Sequence, residues 1–166
     1  MAVQTGRTQA KYFKFQIHDS GAVLRDIAVS SFGGFSVDYD QIELTALQDE
    51  LKGFLPGHGT VAVEISGPWS TQAAVAASAT TEKAALSGSH TVLYDLPDDQ
   101  TPLAFAAYFG VRHYWEAGEP VFGISATAAN GIQVFNFVLN ENMTYSATLA
   151  MWPGSAAPTW GTAAIT

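Results

Sequence analysis

The sequence has no cysteine, which excludes disulfide bridges and thiolate metal sites. It also has few charges, since Asp, Glu, Lys and Arg make up 13% of the residues, about half of the roughly 25% usual in soluble proteins. Hydrophobic residues account for 48%, so the chain can bury a core and is not a disordered polymer. So little charge is expected when subunit contacts cover much of the surface, or when Ser, Thr and Asn replace charged residues there.

Positive charge is the scarcer sign. The 166 residues carry 7 Lys and Arg against 15 Asp and Glu, which gives a net charge of −8. The N-terminal stretch is the exception, because it holds Arg7, Lys11, Lys14 and Arg25. We interpret residues 1–11 as a basic arm, which either contacts another molecule or is only a solvated strand edge. Because affinity for nucleic acid comes mainly from cations that neutralise phosphates, we expect negligible binding to double-stranded DNA.

Long hydrophobic runs are also absent. The longest, Leu103–Val111, is too short for a bilayer span, which needs about 20 residues. The first residues, MAVQTGRTQAKYF, have no apolar region typical of a secretory signal. We therefore expect a soluble protein that is made in the cytoplasm and has no membrane span.

Alternation of apolar and polar residues runs through most of the chain, which is typical of half-buried strands. The clearest case is Met143–Met151, and the continuous apolar run Leu103–Phe109 predicts a strand buried on both faces. Further strand candidates are Phe13–Ile17, Val23–Ile27, Phe35–Tyr39, Val61–Ile65, Val92–Leu96, Val121–Thr127 and Ile132–Leu139. About eight short strands predict a mainly β protein, an antiparallel β-sandwich or small barrel in a single domain over residues 1–166.

Three segments between these strands carry local predictions. The turn at Asp19–Gly21 is expected to place its glycine at positive φ. The dipeptide Asn130-Gly131 favours the type I′ turn of a β-hairpin. The alanine-rich segment Ser70–Leu86, with Ser70 as N-cap and Gly88 as C-cap, predicts one short flanking α-helix.

One long segment, Gln41–Thr60, does not alternate and is predicted to be a loop. Loops of this length in a compact domain usually have a role of their own. The apolar pair Phe54-Leu55 stands beside the turn-forming Pro56-Gly57. Either this pair inserts into a neighbouring molecule or it folds back onto its own core, and the sequence favours neither.

The order of motifs in the first half resembles the start of the major tail tube proteins of siphophages. The motifs are FQIHDSGAVLRDIAV, SFGGFSVDYD, IELTALQDELKGFLPG and VAVEISGPW, with Thr45, Ala46, Asp49, Leu55, Pro56, Gly57 and Gly67 at matching positions. The closing WPGSAAPTWGT is also similar, with Pro158 and Trp160-Gly161 resembling the final P-x-W-G of that family. No family motif is matched between Ser70 and Gly118.

The resemblance implies a tail-tube-like fold that assembles with copies of itself into stacked rings, commonly hexameric, together with other tail proteins of a virion. DNA passes through such a tube during ejection without specific binding, and the inner surface is usually acidic. Ring stacking is carried over to Thr45–His58, with Thr45, Asp49, Phe54, Leu55, Pro56 and Gly57 as candidate residues. Asp38 and Asp40 are the candidate lumen acids. A terminator or connector built on the same fold remains an open alternative.

Motifs for catalysis and for metal binding are weak. His18-Asp19-Ser20 contains the residue types of a catalytic triad, but neighbours on a strand point to opposite faces. Gly123–Thr127 lacks the second glycine of a nucleophile elbow, and no phosphate-binding loop motif is present. The polar clusters His113–Glu119 and Asp95–Asp99 are more typical of ordinary solvated surface loops than of metal sites. We predict no enzyme activity, no cofactor and no metal site.

Four tryptophans leave one alternative function open. Carbohydrate-binding β-sandwiches stack sugars on exposed aromatic side chains, and Trp69, Trp115, Trp152 and Trp160 could serve that purpose. Such a function requires two or three coplanar rings on one concave face. A tube subunit is instead expected to bury its aromatic residues or to place them in subunit contacts.

Overall fold

The computed structural model describes residues 12–43, 54–77, 86–111 and 115–166. Nine strands and one short α-helix lie in these ranges: β1 (Phe13–His18), β2 (Leu24–Ile27), β3 (Ser31–Glu43), β4 (Phe54–Pro68), α1 (Ser89–Leu93), β5 (Phe105–Phe109), β6 (Val121–Ile124), β7 (Ile132–Leu139), β8 (Thr144–Met151) and β9 (Thr159–Gly161). A five-stranded sheet has the order β2-β1-β5-β6-β9, and a four-stranded sheet has the order β3-β4-β8-β7. Neighbouring strands are antiparallel throughout. The predicted antiparallel β fold with one short helix is confirmed, and over the described residues the sheets do not close into a barrel.

The hydrophobic core is assembled from the alternating positions of the strands. On β4 the buried residues are Val61, Val63 and Ile65, while Glu64 between them is exposed. On β8 the buried residues are Tyr145, Ala147 and Leu149. Full burial of one large apolar side chain stabilises a fold by about 1.5–3 kcal/mol, so this alternation determines which face of each strand points inward.

The five-stranded sheet is buried on both faces at its centre. The run from Leu103 to Tyr108 is at most 1% exposed, which confirms that this segment is covered on both sides. One face belongs to the main core. On the other face a second, smaller cluster contains Ala106, Tyr108, Trp115 and Val121, with Ile165 packed against it.

The turn between β1 and β2 is organised by Asp19. Its Oδ1 accepts hydrogen bonds from the backbone N–H groups of Gly21 (2.9 Å) and Val23 (3.0 Å). Its Oδ2 accepts a bond from Nε of Arg25 at 2.6 Å. The positive φ, 57°, falls on Ala22. The prediction that a glycine would adopt it is therefore wrong.

The predicted hairpin at Asn130-Gly131 is also wrong, because β6 and β7 belong to different sheets. A turn between Thr127 and Asn130, in which the backbone groups exchange hydrogen bonds of 2.8 and 3.3 Å, precedes the crossing. A glycine is required at position 131 because residues 102 and 103 pass too close to leave room for a side chain. A Cβ added there would lie 2.7 Å from Cβ of Pro102 and 2.9 Å from the carbonyl oxygen of Leu103.

The short helix predicted within Ser70–Leu86 is not found in the described part of that segment, and residues 78–85 lie outside the described residues. The described residues 70–77 and 86–88 are not helical and run along the edge of β2, where the backbone N–H of Ala77 donates to the carbonyl oxygen of Leu24 at 3.1 Å. The helix α1 begins at Ser89, so Gly88 is its N-cap rather than a C-cap. Uncovered strand edges invite pairing with other chains, and this segment shields one of them.

The segment Val92–Leu96, predicted as a strand, lies in α1 and in the 3₁₀ turn Leu96–Asp98. Ser89, Val92, Leu93 and Leu96 are buried, while Tyr94 is 62% exposed. The buried residues Val92, Leu93 and Leu96 follow Ser89 by three, four and seven positions, which is the spacing of one helix face. The alternation of Val92, Tyr94 and Leu96 concealed this period in the sequence. Among the described residues, no helix is long and apolar enough to cross a membrane.

Gly123 offers a direct test of the packing in the five-stranded sheet. A Cβ added at this position would lie 2.2 Å from the carbonyl oxygen of Phe105 on the adjacent strand. We expect Gly123→Ala to lower the free energy of unfolding by about 1–3 kcal/mol or more, measured by urea denaturation. The matched variant Gly161→Ala, whose nearest neighbour would be 3.9 Å away, should have little effect. Equal losses in the two variants would contradict the close approach.

Candidate assembly surfaces

The hairpin formed by β3 and β4 extends beyond the rest of its sheet. The two strands remain paired as far as Glu43 and Phe54, whereas β8 accompanies β4 only over Ala62–Pro68. We call residues 37–43 and 54–61 the hairpin arm. A two-stranded hairpin is at best marginally stable in water on its own, so the arm is suited to contact another surface.

The hairpin arm shortens the loop that was predicted over Gln41–Thr60. Residues 41–43 and 54–60 are strand residues, because the β3–β4 ladder continues through register shifts at Phe32/Phe35 and Tyr39/Gln41. Such irregularities remove the strict alternation by which a strand is recognised in a sequence. The remaining residues of the predicted loop, 44–53, lie outside the described residues.

Four of the six candidate stacking residues lie in the described structure, and two do not. Phe54, Leu55, Pro56 and Gly57 lie at the start of β4, with the first three opposite Glu43, Ile42 and Gln41 in the register. Thr45 and Asp49 lie outside the described residues, as do the basic arm 1–11 and residues 78–85.

The two candidate lumen acids lie on β3. Asp38 is directly opposite Thr60, two residues along β4 from Ala62. Asp40 falls at the register shift between Tyr39 and Gln41. The structure therefore brings both acids onto one strand but not into one uninterrupted ladder.

The outer face of the four-stranded sheet is made of small side chains. On β4 and β8 it consists of Ala62, Glu64, Ser66, Pro68, Thr144, Ser146, Thr148 and Ala150, of which Glu64 is the one charged residue. A depression of about 300 Å³ lies on this face, lined by Ser31, Gly33, Glu64, Ile65, Ser66, Ser146, Ala147 and Thr148. This lining offers hydroxyl groups and a single carboxylate, without a cation among the residues that form it.

The strand β7 forms one edge of the same sheet and has no charged residue in its sequence IQVFNFVL. The β7–β8 register shifts between Val134 and Asn136, so Phe135 is the extra residue of a β-bulge. Phe135 is 74% exposed, and Val138 and Leu139 are 41% and 49% exposed. Soluble proteins usually place charges on edge strands to prevent pairing with other chains. An uncharged edge with exposed apolar residues is instead suited to pairing.

Sequence reasoning did not single out Phe135 or the depression. The lack of charge in IQVFNFVL was a visible signal, but the same pattern is also expected of a strand in the middle of a sheet. The depression is formed by residues from three separate strands, so no local motif could reveal it.

A buried polar row lies on the second face of the five-stranded sheet. It contains Lys14, Gln16 and His18 on β1 and Asp26 on β2, all at most 8% exposed. Nζ of Lys14 lies 3.6 Å from Oδ2 of Asp26. Nε2 of Gln16 and Nδ1 of His18 are buried without a hydrogen-bond partner, an arrangement that lowers stability because each group has lost its water.

The sequence-derived triad residues do not converge. His18 is buried, Ser20 is exposed, and the carboxylate of Asp19 is bound to Arg25 and to the turn backbone. Burial alone would raise the pKa of Asp19, but hydrogen bonds from Val23, Arg25 and Gly21 together with the charge of Arg25 lower it overall. The Asp19 carboxylate therefore stabilises the turn.

The carboxylates considered for metal binding support their own loops. Oε2 of Glu119 accepts a hydrogen bond from the backbone N–H of Glu116 at 3.1 Å. Oδ1 of Asp99 accepts bonds from the backbone N–H and the hydroxyl of Thr101 at 3.0 and 2.7 Å. Over the described ranges, which do not include His113, no three His, Asp or Glu side chains come together as metal ligands.

Three of the four candidate tryptophans, Trp69, Trp115 and Trp160, pack against neighbouring residues. Trp115 is 2% exposed and its Nε1 donates to the carbonyl oxygen of Glu119 at 3.0 Å. Trp160 is 55% exposed, but its ring is tilted by 42° against Phe109 and by 51° against Phe122. Trp69 meets the ring of His90 at 73°. These pairs are tilted or edge-on, which differs from the coplanar platform that stacking on sugars requires.

His18 is expected to make stability depend on pH. Burial lowers its pKa, against the smaller opposing influence of Asp19, so the unfolded chain, with a His pKa of about 6.5, binds the proton more readily. Stability should therefore decrease as the pH falls below about 6.5, by at most about 1.4 kcal/mol per pH unit for one proton. Urea unfolding at pH 7.5 and 5.5 should show a smaller decrease for His18→Gln than for the wild type.

The matched control for this experiment is His90→Gln, which changes an imidazole that stacks on Tyr94. The same two measurements on this variant show what the loss of an imidazole elsewhere in the chain does by itself. If His18→Gln lost as much stability at low pH as the wild type, the buried imidazole would not be the source of the effect.

Comparisons with known proteins identify the fold. No protein-family model and no curated protein matches the sequence. Among solved structures, a chain of the tube-terminating cap of the anti-feeding prophage aligns with a TM-score of 0.54 at 13% identity, over 98% of this chain and 95% of that one. A chain from the tail of a gene transfer agent with C6 symmetry aligns with a TM-score of 0.54 at 12% identity, over 92% and 98%.

A third similar chain comes from the sheath–tube complex of an extracellular contractile injection system in its extended state. It aligns with a TM-score of 0.50 at 12% identity, over 94% of this chain and 92% of that one. All three alignments extend over nearly the whole of both chains, so the similarity is not limited to a common supersecondary motif. The protein therefore shares its fold with chains of the tails and tube-terminating caps of phage-like particles.

Proposed function

We propose that the protein is a structural subunit of a phage tail, which assembles into hexameric rings that stack into a tube for DNA ejection. The observation that carries this proposal is the fold shared over nearly the whole chain with chains of phage-like tails, one of them with C6 symmetry. The order of sequence motifs, which resembles tail tube proteins, is independent support. Its partners would be further copies of itself and other tail proteins in the virion, and the role requires no catalysis.

The strand order of the four-stranded sheet is compatible with a ring. Because β3, β4, β8 and β7 are successively antiparallel, β7 runs opposite to β3. A rotation about an axis roughly parallel to the strands would place β7 of one copy beside β3 of the next, again antiparallel. Such a head-to-tail contact closes into a ring and removes both uncovered edges.

The outer face of the four-stranded sheet would then line the channel. Its small hydroxyl side chains and the exposed Glu64 present no cation on β4 or β8. Asp38, opposite Thr60 in the register, would add an acid to this face, and we assign Asp40 to the same rim of the channel. Because phosphates are held mainly by Lys and Arg, DNA would pass such a surface without being retained.

The hairpin arm would contact the adjacent ring. It projects past β8 as two strands only, so it gains stability from an external surface. We assign Phe54 and Leu55 as the apolar anchors of this contact, with Pro56 and Gly57 beside them. Thr45 and Asp49 would lie in the connection between the two strands of the arm.

Assembly of the purified protein is the first test. We expect negative-stain electron microscopy at high protein concentration to show rings or tubes about 100 Å wide, a size that follows from several small domains closing a ring. Isolated rings that do not stack would favour a cap or terminator over a tube subunit. A protein that stays monomeric at all salt concentrations would contradict the proposal.

The stacking assignment is tested by a double substitution in the hairpin arm. Phe54→Ser with Leu55→Ser should convert tubes into single rings, because interface contacts are dominated by a few buried apolar anchors. The matched control is Val23→Ser with Tyr94→Ser, which removes two exposed apolar side chains from the body of the domain. Tubes of normal length from the arm variant, measured by microscopy and light scattering, would show that the arm does not stack the rings.

A further inference from the structure

We infer that neighbouring copies in a ring are held in register by Phe135 of one copy, which inserts into the depression beside Gly33 of the next copy. The inference rests on the proposed ring and concerns the lateral contact within it, not the stacking of rings. The occupant of the depression is thus a second copy of this chain.

Phe135 is an exposed bulge residue on the edge strand β7, so its side chain is available for a contact with another copy. Before it, Val134 lies opposite Leu149 and is 2% exposed; after it, Asn136 lies opposite Thr148 and is exposed. As the extra residue of the bulge, Phe135 has no partner position on β8, and 74% of its surface is exposed. An aromatic side chain in this state has a large apolar area to bury in an interface.

The depression lies on the outer face of the sheet, toward the opposite edge. We place Phe135 on that face as well, because Val134 before it packs in the core and successive residues of a strand point to opposite faces. The β3–β4 register shifts between Phe32 and Phe35, which places Gly33 and Gly34 at an irregularity of the edge strand. Gly33 has no side chain to block access, and a Cβ added there would lie 3.1 Å from Cβ of Glu64. The depression measures about 300 Å³, whereas about 150 Å³ is enough to hold benzene.

The ring would bring these two features together. With β7 paired to β3 of the next copy, the two strands lie about 4.8 Å apart, so a phenylalanine side chain can reach across β3. Both features lie on the outer face, so no side chain needs to change sides of the sheet. The approach is also electrostatically compatible, because β7 has no acid to repel Glu64 and Asn136 offers amide donors.

Substitution of the anchor tests the inference. Phe135→Ser should raise the protein concentration needed for ring formation by about 30-fold or more, the effect typical of a central aromatic anchor. Val138→Ser, an exposed apolar position on the same strand, should have a much smaller effect. Both are measured by analytical ultracentrifugation over a dilution series, with urea unfolding to confirm that each variant is folded.

Filling the depression should have the same consequence as removing the anchor. Ser146→Phe would occupy the depression from its floor, whereas Ala150→Phe places the same ring on the same strand and face outside it. We expect only Ser146→Phe to impair ring formation. Equal behaviour of the two variants would overturn the assignment of this depression.

Cross-linking can establish the contact directly, because the chain has no cysteine of its own. The double variant Asn136→Cys with Ser31→Cys keeps the Phe135 anchor and, treated with a short bismaleimide, should give a ladder of oligomers that ends at the closed ring. Each single variant can form dimers at most.

The outcomes separate the inference from the proposed function. Wild-type rings together with normal assembly of Phe135→Ser, or with no ladder from the double cysteine variant, would overturn the lateral contact and leave the tail role intact. A wild-type protein that forms no rings would overturn both.

Discussion

The uncovered edges of its two open sheets are the constraint on which the rest of this structure depends. Backbone N–H and C=O groups along an edge require partners, and an edge left open recruits other chains. One edge of the five-stranded sheet is shielded within the molecule, since residues 70–77 and 86–88 run beside β2. Among the described residues, β3 carries no such cover, and β7 is covered at its start, where Ile132 and Leu103 exchange backbone hydrogen bonds. The unshielded parts of these two edges of the four-stranded sheet are therefore suited to form an intermolecular sheet with neighbouring copies.

The faces of the two sheets are as different as their edges. The five-stranded sheet is covered on both sides, and even Lys14 and Asp26 are buried beneath its second face. The four-stranded sheet has only one covered face, and on its outer face β4 and β8 present mostly small side chains around Glu64. One sheet therefore provides stability and the other presents a surface. The low charge content follows from this division, since neither a doubly covered sheet nor a face of serines and threonines requires many charged side chains.

The strands that the sequence predicted best are those whose two faces meet different environments. Val61–Ile65 and Met143–Met151 alternate because one face packs on the core, although Met143 itself lies in the turn before β8. Prediction failed where the apolar residues followed a helical spacing instead of strand alternation, and where a residue far along the chain determined the local structure. Val92–Leu96 followed a helical spacing, and Gly131 is determined by the approach of Pro102.

By itself, the sequence determined the fold class and the depletion of charge, because alternation and composition are local properties that follow from burial. It also indicated the hairpin between β3 and β4, although not how far its strands continue. Only the tertiary structure decided which strands share a sheet, which edges stay open, that Phe135 is an exposed bulge residue of an edge strand, and that three strands form the depression beside Gly33. These features depend on contacts between residues far apart in the chain, and no pattern within a single segment encodes such contacts.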